Sequence, residues 1–137
     1  MPRYLLNTNI VSFLLKRNPS VIQQFHQVLP EDIVLSAVVE AELRYGAARL
    51  PPGARLHAIL PEFLNRSQIL PWDSVCAKQY GELRARLEAE GTPMGFFDTM
   101  IAAHGLAYGL TVVTNDQAFH RIDQLTIEDW TKTPHRA

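Results

Sequence analysis

Tyr4-Leu5-Leu6-Asn7-Thr8-Asn9-Ile10 runs from apolar to polar and back to apolar. An apolar run that short, closed by Asn-Thr-Asn, predicts a buried strand over Arg3–Leu6 and a helix from Thr8 to about Arg17. Asn7 then stands at a strand-to-helix boundary, the edge at which open α/β sheets bind their ligands. Its side chain is a natural helix cap. The same position is where an α/β enzyme commonly carries a catalytic carboxylate, so an amide here is the feature to explain.

The alternation continues along the chain. Asn18-Pro19-Ser20 is a break, and Pro19 suits the first turn of a second helix through Leu29. Ile33-Val34-Leu35 reads as a second strand, followed by Ser36 as cap and a helix from Ala37 to about Leu50. Pro51-Pro52-Gly53 stops that helix, and Ala54–Phe63 resumes one. Gln68-Ile69-Leu70 is a third strand. Over Asp73–Glu90 the residues Val75, Cys76, Tyr80, Leu83 and Leu87 form an apolar stripe at helical spacing, with Glu82 and Arg86 paired outside. Gly91-Thr92-Pro93 ends it. Asp98–Tyr108 is apolar on nearly all sides, which predicts a buried helix. Leu110–Val113 is then a strand, Asp116 precedes a helical turn through Phe119, and a last strand lies near Leu125–Ile127, ahead of the C-terminal tail. Short strands alternating with helices predict a three-layer α/β fold, a central parallel sheet flanked by helices, in one domain over residues 1–137.

The 137 residues are 47% hydrophobic and 20% charged, the balance of an ordinary globular chain. Cys76 is the only cysteine, which rules out an internal disulfide and predicts a reducing, cytoplasmic setting. No run is long enough to span a membrane, and Met1-Pro2-Arg3-Tyr4-Leu5-Leu6 lacks the core of a signal peptide, so no membrane association is expected. A net charge of −1 is not that of a general nucleic-acid coat. Local cations among Lys16, Arg17, Arg44, Arg49, Arg55, Arg84 and Arg86 still allow phosphate contacts, although most are expected to be solvated surface.

Three acids fall at comparable boundaries. Asp116 follows the strand ending at Val113, Glu42 sits in the second turn after the second strand, and Asp98 opens the buried helix. Each has a plain reading as a cap or an exposed helix acid. Together with position 7 they converge on one cleft. Clustered carboxylates repel one another unless a cation neutralises them. Oxygen donors without Cys or paired His suit Mg²⁺ or Mn²⁺, ions that keep waters, bind phosphate and promote phosphodiester hydrolysis. The chemistry expected is that of a nuclease with one ligand neutralised.

Four stretches in order resemble the VapC-type toxins, ribonucleases of the PIN-domain superfamily: Leu6-Asn7-Thr8-Asn9-Ile10, Ser36 through Glu42-Leu43 with Tyr45-Gly46, Asp98 through Ile101-Ala102-Ala103-His104, and Thr114-Asn115-Asp116. Gly91-Thr92-Pro93-Met94-Gly95 and Ile127-Glu128-Asp129-Trp130 are similar to the enteric-type subgroup. The resemblance implies the toxin of a type II toxin–antitoxin system, a Mg²⁺- or Mn²⁺-dependent endoribonuclease. It further implies a homodimer, a VapB-type antitoxin as inhibitor, contact with DNA only through that antitoxin, and tRNA, initiator tRNA in the subgroup, as substrate. The acidic site maps to Asn7, Glu42, Asp98 and Asp116, the metal-binding and catalytic residues, with the Thr114 hydroxyl in support. The family has Asp where this chain has Asn7. That change keeps the cap and removes an anionic ligand, so an inactivating substitution in a toxic ribonuclease is expected, with a catalytically silent antitoxin- or RNA-binding domain as the alternative.

Other residues carry plainer expectations. His104 reads as a hydrogen-bonded structural histidine, Asn9 as fixing the first helical turn, and Cys76 as core. Glu40 and Glu42 are separated by about 200° around their helix, so only one points into the cleft. Phe96, Phe97, Met100 and Tyr108 read as core or dimer packing before RNA contacts. A receiver domain lacks its acidic pair and late Lys here, and a haloacid-dehalogenase-type phosphatase lacks its Asp-x-Asp, because Asn7-Thr8-Asn9 stands there.

Overall fold

The first strand, β1 (Tyr4–Leu6), is buried at all three residues, because it runs down the middle of the sheet. The computed structural model describes residues 2–132; Met1 and the tail from residue 133 lie outside it. After β1 come α1 (Thr8–Leu15), α2 (Pro19–Gln27), a 3₁₀ turn at Pro30–Asp32, β2 (Ile33–Ser36), α3 (Ala37–Ala48), α4 (Leu56–Asn65) and β3 (Ile69–Leu70). Then follow α5 (Ser74–Ala89), α6 (Phe96–Tyr108), β4 (Thr111–Val113), a 3₁₀ turn at Gln117–Arg121 and β5 (Ile127–Glu128).

The five strands are parallel in the order β3-β2-β1-β4-β5. The chain builds outward from β1 through β2 to β3, then crosses to the other side of β1 for β4 and β5. Strand order therefore reverses between β1 and β4, the place at which open α/β sheets form a ligand crevice beyond the carboxyl ends of the strands. Helices flank the sheet, as parallel crossovers require, and a single cluster of buried residues from Tyr4 to Trp130 joins sheet and helices. Among the described residues no helix is long and apolar enough to cross a membrane.

Several local expectations shift. Asp98 is the third residue of α6, whose N-cap is Gly95, so it is not a cap. In the α5 stripe Cys76, Leu83 and Leu87 are buried, whereas Val75 is half exposed, because it sits in the first turn beyond the edge of α6. Arg86 pairs with Glu90 rather than Glu82, one turn toward the C-terminus, where a cation also meets the helix dipole favourably. The last strand is Ile127–Glu128, displaced because Leu125 serves the core.

Candidate active site

Position 7 is the first residue beyond β1, and its backbone N–H donates to the Val113 carbonyl at the end of β4 (2.9 Å). The side chain is buried and hydrogen-bonded at both ends. Asn7 Oδ1 accepts from the Thr8 N–H (2.8 Å), as an α1 cap, and Nδ2 donates to Thr114 Oγ1 (3.0 Å). That hydroxyl also accepts from the Asp116 N–H (3.1 Å), and Asp116 Oδ1 caps the following 3₁₀ turn at the Ala118 N–H (2.9 Å). Thr114 thus ties the β1 edge to the loop that carries Asp116.

Glu42 comes from the next strand over. Ser36 ends β2 and caps α3 through the Val38 N–H (3.1 Å), and Glu42 follows in the second turn. Its Oε1 accepts from the Thr8 hydroxyl (2.7 Å), which draws α3 to the start of α1. Glu40 is turned away and pairs with Arg44 (2.8 Å), in keeping with the helical spacing.

Asp98 completes the group. Its carboxyl is pushed up to about 6, first by burial and then by the negative charges of Asp116 and Glu42, with Asp116 also near enough to share its proton. Acids from two other segments therefore act on Asp98 at the edge where β1 and β4 end. Among the described residues, no three Asp, Glu, His or Cys side chains form a metal cage by themselves. Fewer protein ligands suffice for a hard cation that keeps several waters, and the groups linked here, the carboxyls of Asp98, Asp116 and Glu42, the Thr8 and Thr114 hydroxyls and the Asn7 amide, include no Cys or His. The donor set fits such an ion.

The surrounding residues divide. His104 is fully buried, its Nδ1 is 3.0 Å from Ser36 Oγ, and burial lowers its pKa, as suits a structural residue. Asn9 does not fix its own turn: its amide donates to Asn115 Oδ1 across the crevice, which braces the Asp116 loop instead. Cys76 is buried, and burial raises its thiol pKa, against thiol chemistry. Met100 packs on the core, but Phe96 and Phe97 are exposed, as is Tyr108, because the first and last turns of α6 project past the sheet. Sequence reading gave Thr8 no role. A hydroxyl in the first turn beside position 7 was its only signal, and the partner 34 positions away lies on another element.

The fold and the sequence both match known proteins. A family model described as the PIN domain matches residues 4–125. The tRNA(fMet)-specific endonuclease VapC of Shigella flexneri is 35% identical over 95% of this chain and 99% of its own length. Ribonuclease VapC2 of Rickettsia felis is 35% identical over 94% of this chain and 98% of its own. Among solved structures, DNA-bound VapBC from Salmonella typhimurium superposes with a TM-score of 0.87 at 36% identity, over 95% of this chain and 99% of that one. The chain belongs to the PIN-domain family, as a homologue of the VapC ribonucleases.

Proposed function

We propose that this chain is the toxin of a type II toxin–antitoxin pair, an endoribonuclease dependent on Mg²⁺ or Mn²⁺ and held silent by Asn7. The observation that carries the reading is the position of half-buried Asp98 beside Asp116 and Glu42: burial first, and then their negative charges, raise its carboxyl to about 6. Asp98 and Asp116 would hold the ion, with Glu42 and position 7 completing its surroundings. When bound, the ion supplies charge neutralisation for a phosphodiester and a more acidic water. The chain's own residues arrange the rest. Thr8 holds Glu42, Thr114 holds the Asp116 loop, and Asn9 braces that loop through Asn115.

Asn7 spends its amide on Thr114 and its oxygen on the α1 cap, so it brings no charge to the ion. An Asp there fits without rearrangement: the Thr114 hydroxyl, which already accepts from Asp116, turns its own proton toward the carboxylate. The Shigella relative acts on tRNA(fMet), and initiator tRNA is the substrate we assign. Since relatives are solved as VapBC complexes, a VapB-type antitoxin is the partner, with DNA met through it. The toxin works as a homodimer in the cytoplasm.

A second reading, a silent PIN domain that binds antitoxin or RNA, is favoured by one observation: Asn7 is fully satisfied where it stands. Cleavage of initiator tRNA by the chain and by its Asn7→Asp variant, in Mg²⁺ and in Mn²⁺, separates the two. We expect cutting by Asn7→Asp alone, lost when Asp98→Asn is added. Cutting by the unaltered chain sinks the silencing role of Asn7, and no cutting by either protein leaves the binding module.

A further inference from the structure

Helix α3 carries a second pair of side chains along the flank that bears Glu42. At 3.6 residues per turn, Tyr45 lies about 60° and Arg49 about 20° around the helix from Glu42, roughly 4.5 and 10.5 Å further along its axis. Tyr45 is 64% exposed. The Arg49 guanidinium sits 5.1 Å from the centre of its ring, a cation–π stack that holds two flexible side chains in one arrangement. Other arginines are committed differently: Arg44, Arg66, Arg84 and Arg86 each pair with a glutamate one turn away. Arg49 makes no ion pair among the described residues, as is true of Arg3, Arg17, Arg55 and Arg121, but of these it is the one that stands at the end of α3, on the flank of Glu42.

An acid cluster followed by an exposed ring and then a free guanidinium is complementary to one class of ligand. Single-stranded RNA offers a phosphate, an unstacked base with two flat faces, and a further phosphate. We propose that Tyr45 and Arg49 form a nucleotide subsite beside the acids, which stacks an unpaired base on the open face of Tyr45 and pairs its phosphate with Arg49. The subsite rests on the ribonuclease reading of the same cleft. It contributes binding and register rather than chemistry. Aromatic stacking tolerates any base, so the subsite favours unpaired RNA over duplex without selecting sequence.

The test uses the full chain and a short, mixed-sequence single-stranded RNA, followed by fluorescence anisotropy. Tyr45→Leu is expected to weaken binding about tenfold, with Tyr45→Phe restoring it. Arg49→Gln is expected to weaken binding and to lower the salt dependence by about one released counterion. Arg44→Gln, on the far side of α3, serves as the control and leaves both unchanged. Both positions are exposed, so the variants fold, and a matching thermal melt checks it. In the Asn7→Asp background, Tyr45→Leu and Arg49→Gln should raise KM for the RNA with little change in kcat. Cleavage by Asn7→Asp that neither substitution alters overturns the subsite and leaves the ribonuclease reading standing. Absence of both binding and cleavage overturns the two together. A lower sedimenting mass for Tyr45→Leu at unchanged RNA affinity makes Tyr45 a contact between copies, and also overturns the subsite.

Discussion

Asp98 is the residue at which the electrostatics of the crevice can be measured. Its carboxyl ordinarily titrates at 3.8 and in the fold at about 6. Between those values the folded chain holds a proton that the unfolded chain has lost, so stability falls as pH rises through this window. Well below 3.8 the group is protonated in both states, and well above 6 the penalty of ionisation is complete. Asp98→Asn removes that penalty and keeps the shape. It is expected to stabilise the metal-free chain by about 1 to 2 kcal/mol at neutral pH, allowing for solvent screening, and by almost nothing near pH 4. Denaturant melts of chain and variant across that range read the difference directly. A constant difference, or a loss at neutral pH, would remove the raised pKa from the account. His104 titrates in the opposite sense, because its buried ring resists protonation, but it is present in both proteins and cancels.

At the scale of the element, α6 places Asp98 and therefore sets how tightly the acids meet. Its inner face rests on β4 with no side chain at Gly105. A Cβ there would come within 2.8 Å of Val112 Cγ2, 3.0 Å of Leu125 Cδ1 and 3.3 Å of the Leu110 carbonyl. The two side chains can yield a little, but the carbonyl belongs to the turn that leads into β4 and cannot. Gly105→Ala is expected to destabilise by about 1 to 3 kcal/mol, as overpacking does, and to lift α6 enough to weaken the coupling of Asp98 to Asp116. Thermal melts and the pH titration of Asp98 would report both. Such elements were legible in sequence wherever a periodicity or a breaker marked them: the Leu5-Leu6 run, Pro51-Pro52-Gly53, and the apolar α6. The end of α6 was legible too, since Gly109 takes a φ of +64°, where glycine is favoured. Helix starts were less so. Asp98 imitates a cap in sequence, and only the chain path shows that Gly95 holds that place. Long-range polar contacts, Thr8 to Glu42 and Asn9 to Asn115, leave no local pattern at all.

For the whole molecule, the topology makes the site and the charges restrain it. Placing β1 between β2 and β4 brings the segments after three strands, with Asn7, Glu42 and Asp116, to one edge, and the first turn of α6 sets Asp98 within reach of the charges of Glu42 and Asp116. Order and spacing in the sequence point to that convergence; the rise of the Asp98 carboxyl leaves no mark there, because it depends first on burial. A crevice of like charges is a store of unfavourable energy that a divalent cation releases, and a ligand that binds only the folded state raises stability by mass action. The unaltered chain has three acids to offer, and Asn7→Asp has four. Without metal, Asn7→Asp is therefore expected to melt below the parent, as one more carboxylate joins the group. With Mg²⁺ or Mn²⁺ its melting temperature should climb past the parent's, by about 2.7 kcal/mol of stabilisation at a hundredfold excess over Kd, and chelation should reverse the gain. The parent should move much less over the same range. Equal shifts in the two proteins would mean that position 7 does not face the ion, and would overturn the proposed silencing by Asn7.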